Sequence, residues 1–247
     1  MESKNPIYPE LSAKKIQNPS KMWAFPIFGG LVKIIILVPV FIEIGVLFLY
    51  VFILQVINSF YVLFNKKYWE YCFKTTVGTL NLLAKTEFFF SGLSNKYPGF
   101  NLGLNGDFDL KFTMPKTPNV WFAFPIFGGV VRAILLIPFA IFSQVISNGA
   151  NVGVVASSIP VFFKGTYPDS TFEFLLDSIR LNLSQTAYFA GISDKYPSFK
   201  INMDHQLIKI VLIIIGTLLL FQAKFDNQTD RKIESPRDFA PSYQNYR

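Results

Sequence analysis

The chain has little cysteine and little histidine. Among its 247 residues, Cys72 is the only cysteine and His205 is the only histidine. A disulfide framework needs paired cysteines, and a zinc site or a cysteine–histidine nucleophile needs more such ligands. We therefore expect no disulfide, no metal site, no cofactor and no cysteine–histidine catalysis within one chain. Cys72 is expected to be a small buried side chain, and His205 a solvated one in a polar loop.

Charged residues are also scarce. They make up 16% of the chain, against about 25% in an average soluble domain. The net charge is +7, but the basic residues flank apolar stretches and form no cluster. This distribution indicates contact with the anionic headgroups of a lipid bilayer, and we expect no nucleic-acid partner.

Long hydrophobic runs are abundant instead. Residues 31–64, 130–163 and 207–221 are almost free of charge. Runs of this length are typical of membrane segments, and the last predicts a C-terminal transmembrane helix over residues 207–222. Residues 1–22 are polar and lack the apolar core of a secretory signal peptide, so we expect the first apolar block to direct insertion. Residues 223–247 are expected to form a mobile polar tail.

One sequence, "AFPIFGG", occurs at residues 24–30 and again at residues 123–129. The offset of 99 residues aligns a much longer span without a gap: "SGLSNKYPGF" in the first half falls on "AGISDKYPSF" in the second. Self-similarity of this kind predicts two tandem repeats that fold alike. We call residues 23–112 copy one and residues 121–204 copy two.

Each copy has the same predicted order of elements. An apolar block of about 33 residues comes first. An amphipathic stretch follows, at residues 69–94 and 168–193, which we expect to form a helix in the membrane interface with a solvated charged face. In copy two that face carries Glu173, Asp177 and Arg180. A short alternating stretch then predicts a β segment, and Asn105-Gly106 in copy one predicts a hairpin turn.

Each apolar block crosses the membrane either twice or once. One helix of about 33 residues would be about 50 Å long, whereas the hydrocarbon core is about 30 Å thick. A turn signal, "SNGAN" at residues 147–151, lies within the second block, and basic residues lie on both sides of each block. Because cationic loops belong in the cytoplasm, we predict a transmembrane helical hairpin in each copy and a cytoplasmic N-terminus. The alternative is one long tilted helix per copy.

The repeated stretch is interpreted as an insertion segment, at which the chain enters the membrane. Proline suits the first turn of a helix, and paired glycines permit a bend or a close backbone approach. The cations that follow have the reach to meet lipid phosphates, and tryptophan anchors at the headgroup level. A phosphate-binding loop is disfavoured because its glycine–lysine pattern is absent. The predicted insertion and lipid-facing residues are Trp23, Pro26, Gly29, Gly30, Lys33, Trp121, Pro125, Gly128, Gly129 and Arg132.

Glu43 is the only acidic residue within an apolar block. An ionisable side chain at membrane depth is a functional-site hypothesis by default, but a hydrogen bond between Glu43 and Gln55 or another polar group is the favoured interpretation. Glu43 and Gln55 are thus the candidate intramembrane polar residues. Catalysis needs a convergent acid, base, nucleophile or metal, and none is evident, so we predict no enzymatic activity.

Copy two carries a combined pattern of aromatic, proline, glycine and arginine residues. Its members are Phe124-Pro125, Gly128, Arg132, Ile137-Pro138, Tyr167-Pro168, Phe172, Phe174, Arg180, Ala187-Tyr188, Asp194, Tyr196-Pro197 and Phe199. Copy one keeps Phe25-Pro26, Gly29, Lys33, Val38-Pro39, Asn95 and Tyr97-Pro98. The pattern resembles a bacterial integral membrane protein family known as domain of unknown function 4389, present here in two copies.

The resemblance implies a location and a fold. The chain departs from the family at Val40 and Phe139, where a histidine is common, and at Ser184, where a second arginine is common. The family has no assigned activity, so the resemblance implies none for this chain. It implies a multi-pass protein of the bacterial cytoplasmic, or inner, membrane.

Two functions from different classes remain open. The favoured prediction is a mainly α, non-enzymatic accessory or structural subunit that binds a membrane-protein partner or complex. The alternative is a transporter of a small molecule, an ion or a lipid, with Glu43 in its path. The small number of polar residues within the apolar blocks favours the first.

Overall fold

The computed structural model describes residues 8–25 and 28–233. Within them lie the helices α1 (Phe28–Asn65), α2 (Glu70–Ser91), α3 (Phe127–Lys164), α4 (Asp169–Phe189) and α5 (Gln206–Ile233), and the strands β1 (Glu10–Ala13) and β2 (Phe108–Lys111). The prediction of a mainly helical protein is confirmed. α5 continues into the predicted polar tail, and Pro26 and the rest of that tail lie outside the described residues.

Each apolar block forms one continuous helix of 38 residues. The predicted transmembrane hairpin within each block is therefore wrong. The "SNGAN" sequence is helical, and its glycine serves a helix contact: a Cβ on Gly149 would lie 2.5 Å from the carbonyl oxygen of Leu212 on α5. A Cβ on Gly216 of α5 would lie 2.1 Å from the carbonyl oxygen of Val145. Small residues at such crossings let two helix backbones touch.

α1 and α3 are long and apolar enough to cross a membrane. Their most apolar 18-residue windows have mean hydropathies of 2.8 and 2.0, and only 22% and 28% of those residues are buried. The core helix of a soluble protein would bury most of such a surface. Here, large apolar side chains are exposed along both helices. The apolar part of α5, Gln206–Gln222, is shorter.

α2 and α4 pack lengthwise on the long helices. Lys33 bonds the carbonyl of Phe90 near the end of α2, and Gln55 bonds Thr76 nearer its start, so α1 and α2 run antiparallel. α3 and α4 also run antiparallel, because Arg132 near the start of α3 bonds Tyr188 near the end of α4, and Ser143 further along α3 bonds the earlier Asn182. α2 and α4 also touch each other, and they supply much of the main apolar core, including Leu80, Phe88, Phe174, Leu181 and Leu183. The two amphipathic stretches are helical as predicted, but they are buried against the long helices.

Side-chain contacts in copy one recur in copy two at the same offset. Tyr97 donates to the carbonyl of Ile36, and Tyr196 donates to the matching carbonyl on α3. Where the copies meet, the Phe25 ring before α1 packs on Phe162 near the end of α3. The start of α3 in turn shares a cavity with the second half of α1. α1 and α3 therefore run antiparallel, and the copies pack head to tail.

The two strands belong to different parts of the chain. β1 pairs antiparallel with β2 in the register Glu10–Lys111, Leu11–Leu110, Ser12–Asp109 and Ala13–Phe108. The predicted hairpin at Asn105-Gly106 is wrong, because residues 100–104 form no strand. Lys85 of α2 donates to both oxygens of Asn101 and holds this segment on the helix. The β segment predicted for copy two is likewise absent from the described residues, where the backbone of Asn202 bonds a carboxylate of α4.

Candidate functional site

The cations that follow the repeated stretch are buried inside the protein. Lys33 and Arg132 are each only 4% exposed, which corrects the expectation that they reach lipid phosphates. Lys33 Nζ donates to the carbonyl of Phe90 at 3.2 Å and lies 5.7 Å from the centre of the Phe89 ring. Carbonyl oxygens at the end of a helix carry partial negative charge, so the C-termini of α2 and α4 hold the two cations.

Arg132 makes a fuller set of contacts than Lys33. Its Nη1 donates to the carbonyls of Tyr188 at 2.8 Å and Ser193 at 2.7 Å, and its Nη2 lies 2.5 Å from the Asp194 carboxylate. The guanidinium carbon lies 4.9 Å from the centre of the Phe122 ring. These contacts use the planar, forked geometry of a guanidinium group. Arg132 thereby joins the start of α3 to the end of α4.

Only the first glycine of each repeated pair is needed for close packing. A Cβ on Gly29 or Gly128 would lie 2.4 or 2.1 Å from the carbonyl oxygen of the residue six positions earlier. A Cβ on Gly30 or Gly129 would meet no heavy atom within 4 Å. The remaining described residues of the insertion-segment prediction are the exposed Trp121 and the half-buried Trp23 and Pro125.

Glu43 and Gln55, the predicted intramembrane polar residues, lie in separate places. Glu43 is half-buried, and its Oε2 is buried without a hydrogen-bond partner. Its charge acts on Lys85 of α2, whose pKa is lowered by burial and raised by Glu43. Gln55 Nε2 donates to the hydroxyls of Tyr68 at 2.7 Å and Thr76 at 3.4 Å. Gln55 therefore ties α1 to α2, and the expected bond between Glu43 and Gln55 is not formed.

A polar cleft lies between α3, α4 and the end of α2. Its volume is about 300 Å³. The polar side chains that line it are Glu87, Ser143, Gln144, Ser147, Asn182, Gln185 and Thr186. Ser143 and Ser147 both donate to the side-chain oxygen of Asn182, at 2.9 and 3.2 Å. Gln144 is exposed on α3, so the cleft is open to the surroundings of that helix.

Glu87 supplies the carboxyl group of the polar cleft. Its Oε2 is buried and has no hydrogen-bond partner. Burial raises the pKa of Glu87 to about 8, while the nearby Asn182 amide acts in the opposite direction. A carboxyl group with this pKa keeps its proton at neutral pH. The cleft thus combines a neutral acid with amides and hydroxyls that both donate and accept hydrogen bonds, which suits the binding of another polar surface.

Sequence reasoning misses the polar cleft because it places Glu87 on an interfacial helix. A signal is nevertheless present in the second apolar block. Ser143, Gln144, Ser147 and Asn148 form two pairs four residues apart, which places four polar side chains on one side of an apolar helix. Interpreting "SNGAN" as a turn hides this pattern, because the turn would divide the helix at Ser147.

The helix face of copy two that was expected to be solvated is buried in part. Asp177 and Arg180 are 4% and 8% exposed, and their side chains approach to 2.5 Å. Desolvation raises the pKa of Asp177, while the charge of Arg180 lowers it. Asp177 also accepts a hydrogen bond from the backbone of Asn202. Asp177 therefore fastens the segment after α4 to that helix through its bond with Asn202.

The predictions for the single cysteine and the single histidine are confirmed. Cys72 is buried and His205 is exposed. Burial raises the pKa of the Cys72 thiol to about 11, so the reactive thiolate is scarce at neutral pH. Among the side chains that the structure describes, at residues 8–25 and 28–222, no group of three or more His, Cys, Asp and Glu is placed to hold a metal ion.

Comparison with known proteins adds no relative. No protein-family model, curated protein or solved structure matches this chain. The resemblance to the bacterial membrane-protein family therefore stays a prediction. The polar cleft and the two long apolar helices are the features that bear on function.

Proposed function

We propose that this chain is a multi-pass protein of the bacterial cytoplasmic membrane, a non-enzymatic accessory subunit that binds a membrane-protein partner through the polar cleft. The observation that carries the proposal is the buried, unpartnered Oε2 of Glu87 in a cleft that is open beside α3. α3 is long and apolar enough to cross a membrane. At membrane depth such a cleft faces hydrocarbon unless another polar surface covers it.

A transmembrane helix of a partner suits this cleft. Lipid chains offer no hydrogen bonds, and a buried polar group without one costs about 1–3 kcal/mol by protein mutational data. Helices in membranes associate through such groups, with about 1–2 kcal/mol per interhelical hydrogen bond in model peptides. Gln144, Ser147 and Gln185 supply donors and acceptors, and Glu87 adds a carboxyl group. We expect the partner helix to present hydroxyl, amide or amine groups.

The topology that we propose is an inverted repeat that arose by tandem duplication. α1 and α3 would cross the membrane in opposite directions. The pseudo-two-fold axis that relates copy one to copy two would then lie in the membrane plane. A helix of 38 residues is about 57 Å long, against a hydrocarbon core of about 30 Å. Each long helix therefore crosses with a tilt or with its ends in the headgroup layers. α5 adds a third, shorter span beside α3.

A transporter has less support from the structure. Glu43 acts on Lys85, and Gln55 bonds Tyr68, whereas Gln144 belongs to the polar cleft. A transport path normally brings several polar groups together along one route. Among the residues that the structure describes, those on α1 and α3 are divided between separate places.

Affinity purification in mild detergent with matched leucine substitutions tests the proposal. Gln144→Leu removes an exposed amide from the cleft. Gly45→Leu places the same side chain at the equivalent position of α1, where a Cβ has open space. We expect Gln144→Leu to lose a membrane-protein partner that the wild type and Gly45→Leu retain at equal expression. The same partners for all three proteins would contradict the proposal, and a crosslink from the cleft to a second copy would identify that copy as the partner.

A further inference from the structure

A second cavity lies where the two copies meet. It has a volume of about 360 Å³ and is enclosed by the second half of α1, the start of α3 and the end of α4. We call it the inter-copy cavity. Its wall is mostly aromatic and aliphatic, and includes Phe48, Phe52, Val56, Phe122 and Phe189. Phe52 and Phe189 are 65% and 56% exposed, so the rim is open to the outside. The volume lies within the range of about 300–1,000 Å³ typical of ligand sites.

The polar side chains on this wall already have hydrogen-bond partners inside the protein. Gln55 bonds Tyr68 before α2, Thr76 of α2 and a side chain of its own helix. Ser59 and Thr186 bond carbonyls of their own helices. Arg132 bonds the end of α4 and a neighbouring carboxylate. The cavity therefore favours an apolar occupant over water or a polar ligand. The polar cleft, with the unpartnered carboxyl oxygen of Glu87, is the opposite case.

The matching region in the other half is divided into two pockets. Its inner part, which includes Lys33 and Val154, has a volume of only about 40 Å³. An apolar pocket of about 380 Å³ shares Trp23 with it and includes Phe25 and Phe162. There, the hydroxyl of Tyr167 donates across the copies to the carbonyl of Ser91 at 3.0 Å. The equivalent tyrosine, Tyr68, is instead bonded to Gln55, whose place is taken in the other half by Val154. This difference in tyrosine bonding accompanies the larger volume of the inter-copy cavity.

We propose that the inter-copy cavity binds one acyl chain of a membrane phospholipid. The occupant is apolar because the polar groups of the wall are already partnered. It enters sideways from the bilayer, because the exposed rim includes Phe52 on α1 and Val130 on α3, the two helices able to cross it. Apolar cavities in proteins take up hydrocarbons, and acyl chains would be the solvent around this rim. The proposal rests on the membrane placement in the proposed function, and it is independent of the polar cleft.

Gly129→Leu tests the acyl-chain site with a matched control. Gly129 lines the cavity, and a Cβ there meets no heavy atom within 4 Å, so leucine fills the space without a backbone clash. Gly30, its equivalent in copy one, also has open space but lines neither the inter-copy cavity nor the polar cleft. Native mass spectrometry of protein released from phosphatidylcholine–phosphatidylglycerol nanodiscs counts the bound phospholipid. We expect the wild type and Gly30→Leu to keep one molecule, and Gly129→Leu to hold it about tenfold more weakly.

A phospholipid with a photoactivatable diazirine on its acyl chain tests the same site in the wild-type protein, so this experiment does not depend on a variant that folds. We expect peptides with Phe52 and Phe189 to be labelled well above exposed residues of α1 outside the cavity, such as Ile35. Equal labelling of these residues overturns the proposal, as does equal lipid retention by Gly129→Leu and the wild type, or a wild type that keeps no lipid. Lipid retention is measured without a partner protein, so its failure is distinguishable from a failure of partner capture.

Discussion

Gly149 on α3 lies directly against the backbone of Leu212 on α5, where a Cβ would be 2.5 Å from the carbonyl oxygen. Gly216 of α5 makes the reciprocal approach to the backbone of Val145. Two glycines, one from each helix, thus let α3 and α5 cross at backbone contact distance, which membrane helices use to gain van der Waals contact.

Gly149→Ala is expected to destabilise the protein, because the added methyl group meets backbone atoms that have no other rotamer. Overpacking of this kind costs about 1–3 kcal/mol. Gly45→Ala is the control, since its Cβ has no neighbour within 4 Å and alanine gains about 0.5–1 kcal/mol in a helix interior. Thermal unfolding in detergent should show a lower midpoint for the first variant and an equal or higher one for the second. An unfolding midpoint of Gly149→Ala at or above that of the wild type would contradict the close contact between the backbones of α3 and α5.

A double-mutant cycle measures the coupling of Arg132 and Asp194. Copy one has Lys33 and Asn95 at these positions, so Arg132→Lys with Asp194→Asn reproduces a pair that the chain already contains. Each single change is expected to cost about 1–3 kcal/mol, because it removes hydrogen bonds to a charged group. We expect the double variant to lose less stability than the sum of the two. Additivity within about 0.5 kcal/mol would show that the ion pair is not directly coupled.

Sequence patterns predict where the helices of this protein lie in the chain, but they do not predict what each helix contacts. The apolar blocks at residues 31–64 and 130–163 anticipate α1 and α3 to within a turn, because hydrophobic run length is a local property. The number of times that each block crosses a membrane is not determined by local sequence alone. A charge count treats Lys33 as solvated, whereas the fold buries it against the carbonyl of Phe90 near the C-terminus of α2. The polar cleft cannot be predicted from local sequence patterns for the same reason, because Glu87 and Asn182 come from helices far apart in the chain.

Glu87→Gln is expected to change how stability depends on pH. Burial raises the pKa of the folded-state carboxyl to about 8 from its ordinary value of 4.5, so the folded protein holds this proton more tightly than the unfolded chain. The stability contributed by the protonated carboxyl is complete below the unfolded-state pKa and is lost as pH rises through the folded-state pKa. Glutamine stays neutral throughout. The unfolding midpoint of Glu87→Gln should therefore rise relative to that of the wild type between about pH 5 and about pH 9.

Glu70→Gln is the control for this pH series. Glu70 is an exposed residue of α2, and Lys74 holds its pKa below the usual range, so its titration lies below the pH window. The difference in midpoint between Glu70→Gln and the wild type should stay flat. A Glu87→Gln midpoint that runs parallel to the wild type over the whole series would mean that the Glu87 carboxyl is solvated.

Cysteine accessibility tests whether α1 and α3 each cross the membrane once, in opposite directions. In a Cys72→Ser background, single cysteines replace Lys66 just after α1, Trp121 just before α3, Lys21 before α1, and Lys164 at the end of α3. A helix that crosses once separates its two ends by the whole membrane, whereas a helix that does not cross leaves both ends on one face. The start of α3 lies beside the second half of α1, and a Cβ at residue 165 would lie 3.9 Å from Lys21. We therefore expect a membrane-impermeant maleimide to label positions 66 and 121 from one side, and positions 21 and 164 from the other. Labelling of positions 21 and 66 from the same side would refute the single crossing of α1.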